Sequence, residues 1–155
     1  MDERVQEGRG TDGESGMSDK VEVTVSETGA SPFAVRIETG GHSLIGDEPV
    51  AMGGADLGPS PYQMLAAALG ECTTMTVRWF ARQQQWPVDH IETDVTHEKA
   101  TVEGRPGKTD VFRKTVRIRG DALTGEQRTR LLDVAAKCPV HRTLENTSSI
   151  ETLAG

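Results

Sequence analysis

The chain has 155 residues, a length that suits one domain with its own hydrophobic core. Hydrophobic residues make up 35% and charged residues 26%, as in globular proteins, and the net charge of −7 argues against nucleic-acid binding. No apolar run approaches the roughly 18 residues that a membrane span needs, and the polar N-terminus does not resemble a signal peptide. These features predict a cytoplasmic protein that binds neither nucleic acid nor membranes.

Residues 1–19 are predicted to form a disordered leader, because they are acidic and almost without apolar side chains. Met17 near its end is an alternative start of the protein. Residues 20–155 are then expected to form a single domain. It opens with a predicted β-meander, in which alternating apolar residues mark the strands Val21 to Val25, Phe33 to Ile37 and His42 to Ile45.

A long helix is predicted next. Ser60 is suited to the N-cap, Pro61 to the first helical position and Gln63 to the capping box. The helix is expected to end near Gln85. Its predicted core stripe has Cys72 near the middle and consists of Met64, Leu65, Ala68, Leu69, Cys72, Met75, Trp79 and Phe80. The opposite face is also small or apolar, which predicts a helix buried on most sides.

The C-terminal part is predicted to contain strands, two helices and a last strand. The strands are Ile91 to His97 and Asp110 to Arg119, and on the second one Phe112, Val116 and Ile118 share one face, with arginines 113, 117 and 119 on a solvated face. A capping box at Thr124 opens a helix to about Lys137, and Pro139 starts a short one. Ile150 to Leu153 is the predicted last strand.

The two cysteines, Cys72 and Cys138, are the best candidates for chemistry. The helix pattern alone favours Cys72 as a small core residue, since free cysteine is often buried. Cys138 precedes a proline, so it can cap a helix whose N–H groups stabilise a thiolate, and His141 and Arg142 follow closely. The alternative is that Cys138-Pro139 is only a helix stop. A thiolate attacks peroxide to form a sulfenic acid, which a second thiol converts to a disulfide.

Two motifs resemble the OsmC/Ohr family. They are the segment from Gly54 to Arg78, GADLGPSPYQMLAAALGECTTMTVR, and the later segment KCPVHRTL at residues 137–144. The likeness extends from about Val21 to Leu153 and is greatest for the branch that carries CPVHRTL. It implies an α+β, OsmC-like fold and an intertwined homodimer, in which two long central helices are wrapped by antiparallel sheets and the active sites lie at the dimer interface.

The resemblance also implies an activity. The protein is expected to be a thiol peroxidase of oxidative stress defence that reduces organic hydroperoxides without a cofactor, with Cys72 peroxidatic, Cys138 resolving and a dithiol as reductant. Family peroxidases pair the reactive thiol with a glutamate and an arginine. Here Gln63 stands where the glutamate is expected, and Arg36 is the nearest arginine, although its pattern also fits an exposed strand residue. His141 and Arg142 are further supporting candidates.

Three other functions stay open on the residues alone. One is binding of an apolar ligand at the dimer interface without peroxidase chemistry. Another is a thiol redox sensor. The third is a zinc site made from Cys72, Cys138, His141 and His42, but one Cys-x-x-His pair is a weak metal signature, so no metal is expected.

Overall fold

A computed structural model describes residues 20–155, and the predicted leader lies outside the described residues. The β-meander is confirmed as a three-stranded antiparallel sheet in the order β1-β2-β3, with β1 at Thr24–Glu27, β2 at Val35–Thr39 and β3 at His42–Gly46. The first strand begins later than predicted. Val21 and Val23 precede it and are 80% and 52% exposed, because in a single chain no second layer packs over them.

A short connecting segment joins this sheet to the long helix and is held by Asp47. Its buried carboxylate accepts hydrogen bonds from the Ser31 hydroxyl at 2.8 Å and from the backbone N–H groups of Glu48, Ala55 and Leu57. A 3₁₀ turn at Val50–Met52 lies within this segment. The bonds satisfy the carboxylate in full, so Asp47 shapes the loop that leads into the helix.

The long helix α1 spans Pro61–Gln83 and starts at the predicted capping box of Ser60 and Gln63. The predicted core stripe is wrong in part. The buried residues are Leu69, Gly70, Thr73, Val77 and Ala81, whereas Leu65 is exposed and Met75 and Trp79 are each 62% exposed. A helix that is apolar on nearly every side does not reveal which side its own chain will cover.

A long hairpin covers one side of α1. It consists of β4, His90–Thr101, and β5, Lys108–Arg119, which pair antiparallel over their whole length. The strands extend beyond the predicted bounds. Helix α1 packs closely on β4 at Gly70, because glycine has no Cβ atom. A Cβ atom at this position would lie only 3.2 Å from the Val95 side chain. The outer face is solvated as predicted: Arg117 pairs with Glu92 at 2.9 Å, and Arg113 pairs with Glu98.

Two further helices complete the described chain, α2 at Gly125–Ala135 and α3 at Pro139–Glu145. The predicted last strand is wrong: residues 147–155 form neither helix nor strand, and Ile150 is 90% exposed, because no strand lies beside it to pair with. The core between α1, α2 and the hairpin includes Val77, Leu123, Leu131 and Ala135. The result is the expected α+β architecture. Among residues 20–155 there is no helix with the length and apolar character needed to cross a membrane.

Candidate active site

The two cysteines meet at the first turn of α3, although they are far apart in the sequence. Cys138 is the N-cap of that helix, and its Sγ accepts a hydrogen bond from the His141 N–H at 3.4 Å. Cys72 lies in the middle of α1, and its Sγ accepts one from the Val140 N–H at 3.5 Å. Both cysteines are present as free thiols. Successive N–H groups of one helix end therefore face both sulfur atoms.

The two thiols differ in accessibility and in charge preference. Cys138 is completely buried, whereas Cys72 is half-buried. Burial raises the pKa of Cys138, but hydrogen bonds from Thr73, His141 and the neighbouring Cys72 side chain oppose it. Together with a nearby positive charge they hold the pKa of Cys138 below its ordinary value. This direction agrees with the local sequence argument that the helix cap at Cys138 stabilises its thiolate.

The nearby charge is Lys114, which the sequence analysis missed. Lys114 lies on the same face of β5 as Phe112 and Val116, so the strand places it toward the core. Its Nζ donates hydrogen bonds to the Thr73 hydroxyl at 3.1 Å and to the Ala135 carbonyl at 2.6 Å. Partial burial lowers its pKa, opposed by the charges of both cysteines. A lysine inside an otherwise apolar strand face was the available signal.

Thr73 connects this ammonium group to the thiols. Its side chain is fully buried, and its Oγ1 lies 3.4 Å from the Cys138 sulfur and 2.8 Å from the Leu69 carbonyl oxygen, to which it donates. Lys114, Thr73 and Cys138 therefore form a continuous chain of polar contacts in the interior. Such buried chains act strongly on charge because water does not screen them.

The other candidate residues occupy different positions. His141 reaches the site: its Nε2 is 2.9 Å from Glu145, while its buried Nδ1 has no hydrogen-bond partner. Arg142 follows on α3 with an exposed side chain. Gln63 caps α1, accepting from the Ser60 N–H at 2.9 Å. Arg36 is exposed on β2, and its side chain forms no hydrogen bond or ion pair within residues 20–155. Within one chain, neither Gln63 nor Arg36 contacts the thiols.

A cavity of about 510 Å³ lies between α3 and the tip of the β4–β5 hairpin, and neither cysteine belongs to its wall. Lys114 and His141 belong to its wall, and Arg105 contributes a second positive charge. The rest of the wall is mixed: it has two carboxylates, Asp110 and Glu145, the Thr109 hydroxyl and the apolar side chains of Leu69, Val102, Val111, Phe112 and Leu144. This composition suits a small molecule that has both an apolar part and a polar group.

The single chain does not bring together the ligands that the zinc hypothesis requires. Within residues 20–155, no three side chains among His, Cys, Asp and Glu are grouped so that they could hold a metal ion. His42 lies on β3, in the N-terminal sheet rather than beside the cysteines. A zinc site needs three or four ligands around one point, which this arrangement does not supply.

Comparison with known proteins gives the same family as the motifs. A family model described as OsmC-like protein matches residues 53–153, which include both cysteines, Thr73 and Lys114. The chain belongs to the OsmC-like family. No curated protein matches the chain.

Solved OsmC-like structures share this fold at low sequence identity. An osmotic stress induced and detoxification response protein from Psychrobacter arcticus is 19% identical, with a TM-score of 0.65 over 78% of this chain and 85% of that one. An organic hydroperoxide resistance protein from Legionella pneumophila is 16% identical, with a TM-score of 0.60 over 81% and 88%. An organic hydroperoxide resistance protein of Bacillus subtilis is 23% identical, with a TM-score of 0.54 over 80% and 89%. The expected OsmC-like fold is confirmed.

Proposed function

We propose that this OsmC-like protein is a two-cysteine peroxidase that reduces organic hydroperoxides, with Cys72 as the peroxidatic and Cys138 as the resolving thiol. The observation that carries the proposal is the convergence of both sulfur atoms on the N–H groups of Val140 and His141. The hydroperoxide resistance proteins among its structural relatives support the same chemistry. The difference in burial supports this order of the two thiols.

In the first step, the Cys72 thiolate attacks the terminal peroxide oxygen. The O–O bond breaks, the leaving alkoxide takes a proton, and the products are a Cys72 sulfenic acid and an alcohol. We assign this role to Cys72 because it is half-buried, whereas Cys138 is completely enclosed. The Val140 N–H supports negative charge on the attacking sulfur.

In the second step, the Cys138 thiolate attacks the Cys72 sulfenic sulfur. A disulfide forms, and the sulfenic hydroxyl leaves with a proton as water. A resolving thiol must also be deprotonated to attack, so the lowered pKa of Cys138 favours this step at neutral pH. An external dithiol then restores both thiols by disulfide exchange. A cytoplasmic location fits this cycle, since thiol reductants are kept reduced there.

We further propose that the protein works as an intertwined homodimer. On α1, Met75 and Trp79 are exposed in the single chain. They lie beside apolar-walled grooves of about 510 and 560 Å³ along α1 and β4. Exposed aromatic and apolar groups beside such grooves mark an interface. A second α1 packed there would make two central helices. Size-exclusion chromatography with light scattering should give twice the chain mass, and a monomer at micromolar concentration would contradict the assembly.

The activity test is consumption of cumene hydroperoxide with dithiothreitol as reductant. The wild type should turn over, and Cys72→Ser should not. In the absence of dithiothreitol, Cys138→Ser should consume about one equivalent and accumulate a sulfenic acid that dimedone traps on Cys72. Thr129→Ser, on the exposed part of α2, is a matched control and should behave as the wild type. Wild-type protein that consumes no hydroperoxide with any dithiol would refute the proposal.

A second candidate function is binding of an apolar ligand, which the apolar part of the cavity wall favours. It predicts that an apolar fluorescent probe binds equally well to the wild type and to Cys72→Ser, with no peroxide consumption by either. The peroxidase proposal instead predicts that probe binding competes with turnover.

A further inference from the structure

Lys114 of β5 contacts α1 and α2 close to the thiols. Its side chain is only partly accessible, and its two hydrogen bonds run inward, to Thr73 Oγ1 at 3.1 Å and to the Ala135 carbonyl at 2.6 Å. Taking an ammonium group out of water is costly unless acceptors or an opposite charge compensate. Besides these two neutral oxygen acceptors, the neighbouring groups whose negative charge attracts the ammonium group are the Cys138 and Cys72 sulfur atoms, when ionised, and the Glu145 carboxylate.

We propose that Lys114, acting through the Thr73 hydroxyl, is a positioning residue that holds Cys138 as a thiolate. The chain of contacts is short, with 3.1 Å from Nζ to Oγ1 and 3.4 Å from Oγ1 to the Cys138 sulfur. An ammonium group at that range favours a negative charge on the sulfur, most strongly where water is excluded. The role in turnover rests on the proposed peroxidase function, whereas the effect on the thiolate does not.

Thr73 makes this arrangement responsive to the charge on the sulfur. Its hydroxyl has one hydrogen and two neighbours that compete for it, the Leu69 carbonyl at 2.8 Å and the Cys138 sulfur. When Cys138 is a thiol, the S–H donates to Oγ1 and the hydroxyl donates to Leu69. When Cys138 is a thiolate, the hydroxyl hydrogen turns to the sulfur, and the Lys114 ammonium satisfies the oxygen in both states.

Other charged and titratable groups lie around the pair. On the hairpin these are Arg105 and Asp110, which line the same cavity as Lys114, and Asp110 is already paired with His97 and Lys99. From α1 the neighbour is Cys72, and from α3 the neighbours are His141 and Glu145, which pair with each other at 2.9 Å. Glu145 attracts Lys114 and therefore keeps it protonated. Lys137, next to Cys138 in the sequence, is exposed and screened by water.

A purely structural role for Lys114 makes different predictions. The bond to Ala135 satisfies a carbonyl at the end of α2, which is a common function of lysine at helix ends. Glutamine can also donate to that carbonyl but has no charge. Loss of helix capping lowers the melting temperature, whereas loss of the charge changes the pH at which the thiol ionises.

The decisive experiment is a titration of thiolate absorbance at 240 nm in Cys72→Ser protein, which contains Cys138 as its single cysteine. Adding Lys114→Gln should move the midpoint up by about one to two pH units, because an opposite charge nearby shifts a pKa by roughly that amount. Lys114→Arg keeps the positive charge and should therefore leave the midpoint close to that of Cys72→Ser alone. Lys108→Gln, at the exposed start of the same strand, is the matched control and should leave the midpoint unchanged.

The relay through Thr73 is tested by Thr73→Val, which should raise the midpoint, and by Thr73→Ser, which should not. An unchanged midpoint in Lys114→Gln would overturn the proposal. If that variant does not fold, an unchanged midpoint in folded Thr73→Val would overturn the relay on its own. If the variants show the expected midpoint shifts but the wild type reduces no hydroperoxide, the peroxidase proposal is refuted and this inference stands.

Discussion

Stoichiometric oxidation is expected to lock α1 to the start of α3. One equivalent of cumene hydroperoxide added to the reduced protein should produce a Cys72–Cys138 disulfide, because both sulfur atoms already contact the first turn of α3. The bond closes a loop of about 65 residues, for which the chain-entropy relation gives a stabilisation of about 4 kcal/mol as an upper bound. At a urea m-value of about 2 kcal/mol/M, the unfolding midpoint should rise by up to about 2 M.

The assay combines intact mass with urea unfolding followed by circular dichroism. Oxidised wild type should lose two hydrogen atoms, unfold at higher urea and return to the original midpoint after reduction with dithiothreitol. Cys72→Ser and Cys138→Ser should show no such shift, and all samples need the same protein concentration because a dimer's stability depends on it. A wild type that takes up oxygen without closing a disulfide, or closes it without gaining stability, would refute the reasoning.

Three further predictions concern the scaffold around the site. Leu131→Ala, at a fully buried position, should lower the free energy of unfolding by about 2–5 kcal/mol, as measured in urea. Leu132→Ala, at a position 50% exposed on the same helix, should lower it much less. Equal losses in the two variants would contradict the assigned core. Burial raises the pKa of Asp47, but its four hydrogen bonds outweigh burial, and the pKa in the folded protein is lowered. The ionised carboxylate therefore stabilises the fold above about pH 4, and this stabilisation is lost as the pH falls through the lowered pKa of the folded state. Asp47→Asn should flatten that part of the stability curve, and an unchanged acid limb would argue against the bonded carboxylate. Gly58→Ala should lower the melting temperature, because its Cβ would lie 2.0 Å from the Ile45 carbonyl oxygen, and a variant as stable as the wild type would refute that close approach.

Local signals in the sequence were sufficient for the elements that depend on neighbouring residues. The capping boxes at Ser60 and Thr124, the cap at Cys138 and the start of α3 at Pro139 were all predicted correctly. Each depends on backbone groups within one turn, so the information lies in a few adjacent residues. The family and its α+β fold were also identified from two motifs and their order.

The tertiary structure decided what depends on contacts between distant segments. It showed which side of α1 is covered, because a helix that is apolar all round carries no local sign of its partner. It also showed that the predicted strand Ile150 to Leu153 does not form, since no strand lies beside it to pair with. It also brought Lys114 to Thr73, a contact between strand and helix that no spacing in the sequence encodes.

The order of the two thiols shows both contributions together. The sequence indicated that Cys138 can cap a helix, where backbone N–H groups stabilise a thiolate. The packing of the chain shows that Cys138 is fully enclosed while Cys72 stays half-buried beside the same helix end. Reactivity of a thiol needs both charge and access, and access is a property of the packed chain rather than of any local segment.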